Sequence, residues 1–244
     1  MNNERNCLSY WFPILQAAGA PVPETRILKL SDDDGWALVE VLDGKTPEPL
    51  ARVVTFIEES AAELGLPMFL RTGQGSGKHE WDCCCNVTGK LSFAQHVASL
   101  IEWSHCVDFI GLPHNVWVCR KMLAVEPLFR CTRYGGMPVV REWRYFVRDG
   151  SVLCVHPYWP ADALVHGKPD RAMVPQDVRW LHADPPDRAD TLAGIVADAF
   201  KADGYWSVDV LEAVGETYYV TDMADGEASF HWPACPRQLE LVTP

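Results

Sequence analysis

Residues 207–222 read SVDVLEAVGETYYVTD, and this stretch has the apolar–polar alternation and the central turn residues of a β-hairpin. We place Gly215 and Glu216 at the centre of a type II′ turn, which sets the register of the two strands. Asp209 then lies directly opposite Asp222, with both side chains on one face of the sheet. The hairpin therefore predicts an antiparallel sheet that carries two facing carboxylates.

The two facing carboxylates predict a bound divalent cation. Directly opposed like charges destabilise a sheet, and a cation between them removes that repulsion. Magnesium prefers one or two carboxylates together with the phosphates of a substrate, so it suits this pair. Asp225 or Glu227 could supply a further oxygen ligand. The alternative is a slipped register that leaves Asp209 and Asp222 solvated, and we favour the metal.

A glycine-rich segment lies farther towards the N-terminus, where residues 71–78 read RTGQGSGK after a predicted strand at 68–71. Three glycines let a backbone approach a ligand closely and expose its N–H groups, while Arg71 and Lys78 supply positive charge at either end. The spacing is not that of a Walker A loop. The segment is interpreted either as a cover for phosphate groups or as a flexible hairpin tip.

A third group of polar residues lies on two predicted strands. Glu142 and Arg144 are two residues apart on the strand at 139–147, so they point to the same face. They could form a simple salt bridge, or Arg144 could clamp a phosphate with its planar guanidinium group. Arg120 and Lys121 point to opposite faces of an earlier strand, so one of them can reach a ligand while the other is solvated.

The remaining pattern is that of an α+β chain, because helices alternate with antiparallel hairpins. Residues 157–187 are rich in proline and are predicted to form an extended loop, either an active-site lid or plain surface. The other predicted elements are helices at 50–64 and 188–201, a helix capped by Ser92, and strands at 36–42, 116–123 and 151–155.

Composition indicates a folded globular protein, since 48% of the 244 residues are hydrophobic and 22% are charged. The net charge of −12 argues against non-specific binding of nucleic acid. The charged start at residues 1–8 and the absence of a long apolar run predict a cytoplasmic protein without signal peptide or membrane span. Of the nine cysteines, three are consecutive at 83–85, and we interpret them as reduced, buried small residues rather than zinc ligands.

Taken in order, these motifs resemble those of the ATP-grasp superfamily over residues 67–232. They are similar to the branch that contains cell division cycle protein 123 and to small ATP-grasp proteins of bacteria and their phages. The resemblance implies an α+β ATP-grasp fold in which two lobes with antiparallel sheets clasp ATP, with Mg²⁺ as the metal. The lobes would comprise residues 1–118, with the glycine-rich loop, and 119–244, with the phosphate- and metal-binding strands.

The resemblance also implies roles for individual residues. Arg144 and Lys78 would be catalytic by neutralising charge on the phosphates, and Asp209, Asp222 and Glu227 would hold the metal. One departure is Ala224, which stands where the family commonly has an asparagine ligand. The implied ATP-binding residues are Arg71, Gly75, Ser76, Gly77, Lys78, Arg120, Lys121, Met122, Glu142 and Arg144.

Most members of this superfamily are ligases, which implies an ATP-dependent carboxylate–amine ligase that forms a C–N bond through an acyl-phosphate. The substrate would be a peptide, a protein or an amino acid, and neither a membrane nor a nucleic acid is an expected partner. Two alternatives stay open, namely an ATP-binding assembly factor for a protein partner and a small-molecule kinase.

Overall fold

The computed structural model describes residues 4–107, 111–232 and 235. Among these residues no helix combines the length and the apolar character that crossing a bilayer requires. The helices are α1 (Leu8–Ala17), α2 (Asp32–Ala37), α3 (Glu48–Leu64), α4 (Phe93–Cys106), α5 (Ala161–His166), α6 (Pro175–Leu181) and α7 (Asp187–Ala199). The strands are β1 (Thr25–Lys29), β2 (Met68–Thr72), β3 (Asn86–Val87), β4 (Val116–Lys121), β5 (Phe129–Cys131), β6 (Met137–Val139), β7 (Glu142–Arg148), β8 (Ser151–Pro157), β9 (Tyr205–Ala213) and β10 (Thr217–Asp225).

The chain forms two compact units, each assembled from more than one segment. The first takes the described residues of Met1–Ser9 together with Pro23–Leu123 and Thr132–Met137. The second takes Tyr10–Val22, Ala124–Cys131 and the described residues from Pro138 onward. The lobe boundary between residues 118 and 119 stays a prediction.

The first unit is built on an antiparallel sheet in the order β1-β4-β2-β3. Helix α3 packs against β1, β4 and α4, and its buried residues Val53, Ile57 and Leu64 recur at helical spacing. Helix α4 begins at the predicted cap, where Ser92 accepts a bond from the Gln95 N–H in a capping box.

The second unit is built on an antiparallel sheet in the order β10-β9-β7-β8. Helix α7 packs against all four strands and covers one face of this sheet. The core on that side includes the buried rings of Trp143 and Tyr145, and the Tyr145 hydroxyl donates to Asp190 of α7 at 2.9 Å. Since side chains alternate along a strand, the opposite face carries Glu142 and Arg144.

The predicted α+β class is confirmed, but two local predictions are wrong. Residues 36–42 are helical rather than extended, because Ser31 caps α2 and a 3-10 helix, Leu38–Asp43, continues it. The proline-rich loop at 157–187 contains α5 and α6, because Pro160 precedes one helix and Pro175 begins the other. Proline is compatible with a first helical turn, so these prolines start helices instead of preventing them.

Candidate functional site

A row of four polar residues crosses the face of the second unit's sheet that lies opposite α7. The four residues are paired across neighbouring strands and are, in order, Asp222 on β10, Asp209 on β9, Arg144 on β7 and His156 on β8. Directly paired residues of antiparallel strands project to the same side, so these side chains are neighbours. The row combines two carboxylates, a guanidinium group and an imidazole, which is the polar chemistry that a charged ligand requires.

The facing position of Asp209 and Asp222 is confirmed, although the predicted turn is wrong. Gly215 and Glu216 both have positive φ, at 76° and 53°, and β9 and β10 are joined by a three-residue loop rather than a two-residue turn. That loop shifts the register by one residue. A bulge at Thr221 shifts it back, so Asp222 returns to its place opposite Asp209.

Asp209 is held by Arg144 through two parallel hydrogen bonds, from Nε to Oδ1 at 2.7 Å and from Nη2 to Oδ2 at 2.9 Å. Burial disfavours the charged guanidinium group, but the carboxylate of Asp209 outweighs that effect and raises the pKa of Arg144 above its usual value. The repulsion that predicted a metal between the two aspartates is thus relieved in part by a cation of the protein itself. A metal would be held most directly by Asp222.

Glu142 lies on the same face as Arg144 and is only 6% exposed. The Thr221 hydroxyl donates to its Oε1 at 3.1 Å, so the bulge aims this hydroxyl at a buried carboxylate. Arg144 also stacks over the ring of Tyr158, with Cζ 4.8 Å from the ring centroid. Tyr158 therefore restricts where the Arg144 side chain can lie, and the nearby charge of Glu142 favours the charged guanidinium group.

The predicted additional metal ligands lie beyond the second aspartate. Asp222 is half-buried, and its Oδ1 accepts from the Met223 N–H at 3.1 Å. Glu227 forms a 2.7 Å ion pair with Arg148 and is 68% exposed, while Asp225 accepts from the Glu227 N–H. The role of Glu227 as a metal ligand stays a prediction.

The glycine-rich loop of the first unit is packed against protein, which changes the reason for its glycines. A Cβ at Gly75 would lie 2.5 Å from Trp103 and 2.9 Å from Leu112, and one at Gly77 would lie 2.9 Å from Cβ of Cys84. Thr72 closes the turn, since its hydroxyl both donates to the Gly75 carbonyl and accepts from the Gly75 N–H. These glycines allow the loop to pack closely against the protein interior. The structure therefore does not show the alternative interpretation, a flexible hairpin tip.

Two of the predicted cations of the first unit share one face of its sheet. Arg71 pairs with Val118 and Arg120 with Phe69, which places both guanidinium groups on the same side, and both residues are buried. Lys121 points the other way, is exposed, and forms a 3.1 Å ion pair with Glu24. Of the adjacent pair on β4, Arg120 is therefore the inward residue and Lys121 the solvated one.

The other residues predicted for nucleotide binding are partly accessible. Ser76, Lys78 and Met122 are each half-buried, and Lys78 begins a short 3-10 helix, Lys78–Glu80. His79 next to it stacks on Tyr134 with ring centroids 4.5 Å apart. The binding roles of these residues stay predictions.

Sequence reasoning missed Thr221 altogether, and it offered His156 and Tyr158 only as candidates for substrate selection while favouring a structural role for each. A threonine next to an aspartate in a strand carries no local signal, because a bulge is recognisable only once the partner strands are paired. His156 was equally undetectable as a neighbour of Arg144, because a two-residue turn at Asp149-Gly150 pairs Arg144 with Val155, and only a bulge in β8 brings His156 into that place.

No protein-family model matches this sequence, and no curated protein matches it. Solved structures do match. Cdc123 from Schizosaccharomyces pombe aligns at 12% identity with a TM-score of 0.55, and the alignment covers 98% of this chain and 91% of that chain. The C-terminally truncated form of Cdc123 aligns at 12% identity with a TM-score of 0.56, and that alignment covers 90% of this chain and 83% of the truncated chain. The ADP complex of an N5-carboxyaminoimidazole ribonucleotide synthetase aligns at 13% identity with a TM-score of 0.50 over 90% of this chain.

These similarities show that the chain has the ATP-grasp fold, as the motifs predict. At 12–13% identity they show the fold alone. The chain spans less than half of the synthetase, 44% of its length.

Proposed function

We propose that this ATP-grasp chain binds Mg-ATP and joins a carboxylate to an amine through an acyl-phosphate, on a peptide, a protein or an amino acid. The observation that carries the proposal is the row of Asp222, Asp209 and Arg144 on the polar face of the second unit's sheet. It combines carboxylates for a metal with a guanidinium group for phosphate. The synthetase of the same fold, solved with ADP, supports a nucleotide as the ligand.

The carboxylates fit magnesium by their number and chemistry. Magnesium retains several waters and takes one or two carboxylates besides phosphate oxygens. Asp222 is half-buried and accessible, whereas both oxygens of Asp209 already accept from Arg144. We assign Asp222 as the principal ligand, with Asp209 as a second and with Glu227 as a further candidate.

Phosphate binding is assigned to cations in both units, each considered by itself. In the second unit Arg144 is oriented by Asp209 and Tyr158, so its guanidinium group is preorganised rather than mobile. In the first unit we assign Arg71, Arg120 and Lys78, and the backbone at Gly75, Ser76 and Gly77, to the nucleotide. Met122 and Lys121 complete the proposed set, with Lys121 the weakest member because of its pair with Glu24.

The contribution of the chain to catalysis would be positioning and charge neutralisation. A bound magnesium ion would supply Lewis-acid charge to the phosphate oxygens. Arg144 and Lys78 would neutralise charge that develops on the transferred phosphoryl group, and Glu142 would favour the charged form of Arg144. The acceptor carboxylate would attack the γ-phosphorus of ATP and release ADP, and the amine would then attack the acyl carbon, displace phosphate and lose a proton to solvent.

A second candidate is an ATP-binding assembly factor for a protein partner. The resemblance to the branch of cell division cycle protein 123 is the one that implies an assembly factor. The coverage favours this candidate, because the chain matches Cdc123 over 91% of that chain but the synthetase over only 44% of its length. A small-molecule kinase is a third reading of the same nucleotide site. Product analysis separates the three, since a ligase releases ADP and phosphate only with both co-substrates and a kinase leaves the phosphate on its substrate, whereas an assembly factor binds ATP with little turnover.

The test of the shared premise is calorimetry of ATP binding with and without magnesium. Magnesium-dependent binding should be lost in Asp222→Asn and kept in Asp198→Asn, an exposed carboxylate on α7 that only pairs with Lys201. If the folded wild-type protein binds no nucleoside triphosphate, the proposal is refuted.

A further inference from the structure

Three possible metal ligands converge beside the polar row, on residues that the proposed nucleotide site does not use. The Sγ of Cys154, a ring nitrogen of His231 and the Sγ of Cys235 all lie within 4.8 Å of one another. Among the described residues this is the one such group of three. Cys235 is buried, and the other two are half-buried, so the cluster lies inside the second unit rather than on its surface.

Packing brings the cluster together from distant parts of the chain. Cys154 lies on β8 opposite Phe146 of β7, on the same face as Arg144. The ring of His231 stacks on Phe146 with centroids 4.1 Å apart, which places its Nε2 3.2 Å from the Cys154 sulfur. The Cys235 N–H donates at 2.9 Å to the carbonyl of Trp232, the residue that follows His231.

The separations suit a tetrahedral ion. Zinc bonds of about 2.3 Å to sulfur and 2.0–2.1 Å to nitrogen put neighbouring ligand atoms about 3.6–3.8 Å apart. The observed separations run from 3.2 Å to at most 4.8 Å, so the ligands need to move by only about 1 Å or less to reach zinc geometry. Two thiolates and one imidazole are a ligand set that selects zinc among common cellular cations.

We propose that Cys154, His231 and Cys235 bind one zinc ion that pins the segment after β10 to strand β8. The two thiols lose their protons to solvent when the ion binds, and no electron is transferred. The fourth tetrahedral position is taken by water. His156 is not the fourth ligand, because its Nδ1 lies 3.0 Å from the carbonyl of Pro157 and its Nε2 accepts from the Trp232 N–H.

Tyr205 provides a second, independent observation at the cluster. Its buried hydroxyl has no hydrogen-bond partner within the described part of the chain. Its ring centroid lies 5.7 Å from that of Phe146, the ring on which His231 stacks. A metal-bound thiolate would accept the bond from this hydroxyl, as partners in the outer shell of a zinc site commonly do.

The experiment uses the full chain, stripped with a chelator under reducing conditions and titrated with Zn²⁺ and with Co²⁺. We expect one ion per chain and, for cobalt, the near-ultraviolet charge-transfer band of thiolate ligands. Cys154→Ser and Cys235→Ser should each reduce that band to about half, because one of the two thiolates remains, and weaken zinc affinity by about 100-fold or more, since each removes a direct ligand. Cys83→Ser, at an exposed cysteine outside the cluster, should behave as wild type.

His231→Asn is a further variant, because it removes the imidazole but keeps a polar side chain. Circular dichroism checks that each variant is folded. The inference is overturned if folded wild type takes up cobalt without the thiolate band, or takes up no ion. A disulfide between Cys154 and Cys235 in protein purified without reductant also overturns the inference if that protein, once reduced, binds no zinc. ATP binding, measured on the same samples, is independent of either result.

Discussion

Arg144 and Asp209 form a bidentate ion pair across β7 and β9, at 2.7 and 2.9 Å, while Asp222 faces Asp209 from the other side. The site thus contains two facing carboxylates and one arginine, and that arginine is paired with Asp209. If the proposed magnesium site is right, the charge balance of this site should govern both the stability of the second unit and its response to magnesium.

Replacing Arg144 by alanine should lower the free energy of unfolding by about 3–5 kcal/mol, because it leaves the buried carboxylate of Asp209 without its cation. Arg148→Ala removes an exposed arginine of the same strand, paired with Glu227 and stacked on Tyr205, and should cost less than about 1 kcal/mol. Urea unfolding of both variants measures the difference. Equal losses would show that the Arg144–Asp209 pair has no special weight.

Magnesium should raise the melting temperature of Arg144→Ala more than that of wild type. Without the guanidinium group, Asp209 and Asp222 repel each other, and a divalent cation between them relieves that repulsion. Thermal melting with and without magnesium chloride, in the absence of nucleotide, is the measurement. The matched variant Arg144→Ala with Asp222→Asn should lose the extra response, and a response that survives there would place the magnesium elsewhere.

Gly75→Ala should destabilise the first unit by about 1–3 kcal/mol, because the new Cβ would overlap Trp103 and Leu112 in a packed loop. Gly194→Ala is the matched control. Gly194 lies within α7, and a Cβ added there has no neighbour within 4 Å. It should gain up to about 1 kcal/mol through helix propensity. A neutral Gly75→Ala would show that the loop is not held as rigidly as its contacts indicate.

The two adjacent cations of β4 should differ in nucleotide binding if the proposed site is right. Arg120→Met should weaken ATP binding by about 10-fold or more, the usual cost of a lost charge-assisted hydrogen bond. Lys121→Ala should leave the affinity within about twofold, because this exposed side chain pairs with Glu24 on the other face. Calorimetry on folded samples decides, and a larger loss for Lys121→Ala would reverse the assignment.

The stability of the protein should fall as the pH drops below about 6.5, the pKa of an unfolded histidine. Burial, the largest cause, lowers the pKa of His156 to about 4 and that of His114 to about 4. The unfolded state therefore binds more protons than the folded state between these two pH values, and the stability present above pH 6.5 is lost as the pH falls towards 4.

Urea midpoints measured across that pH range test the sign and the source of the effect. His156→Gln should reduce the slope while leaving the part that is due to His114. The groups that face His156 are Arg144, Asp209 and His231, together with the rings of Phe146 and Trp232, and all are unchanged in that variant. An unaltered slope would show that His156 is protonated in the folded protein.

Local periodicity and turn residues were sufficient for two of the long helices and for the hairpin of β7 and β8. Helices α3 and α7 lie where the 3.6-residue pattern places them, and β7 and β8 join at Asp149-Gly150 as the turn residues predict. The pattern misplaced residues 36–42, because an apolar run of that length is compatible with a helix or a strand until a cap such as Ser31 decides.

The hairpin of β9 and β10 marks the boundary between what the sequence by itself determined and what tertiary structure decided. Alternation together with the assumed two-residue turn at Gly215-Glu216 put Asp209 and Asp222 on one face, and pairing of the strands revealed a longer loop whose register shift is cancelled by the bulge at Thr221. The sequence also placed Arg144 and Glu142 together on one strand face. It did not show that Arg144 pairs with Asp209, 65 residues away, because β7 and β9 are not consecutive strands.

The cluster of Cys154, His231 and Cys235 depended entirely on tertiary structure. Cys154 and His231 are 77 residues apart, and no local spacing of cysteines indicated a metal. Periodicity and turn chemistry are properties of neighbours along the chain, so they determine elements and faces. Which faces meet is decided by the burial of α7 against the sheet and by the packing of His231 on Phe146, which act between segments that are distant in sequence.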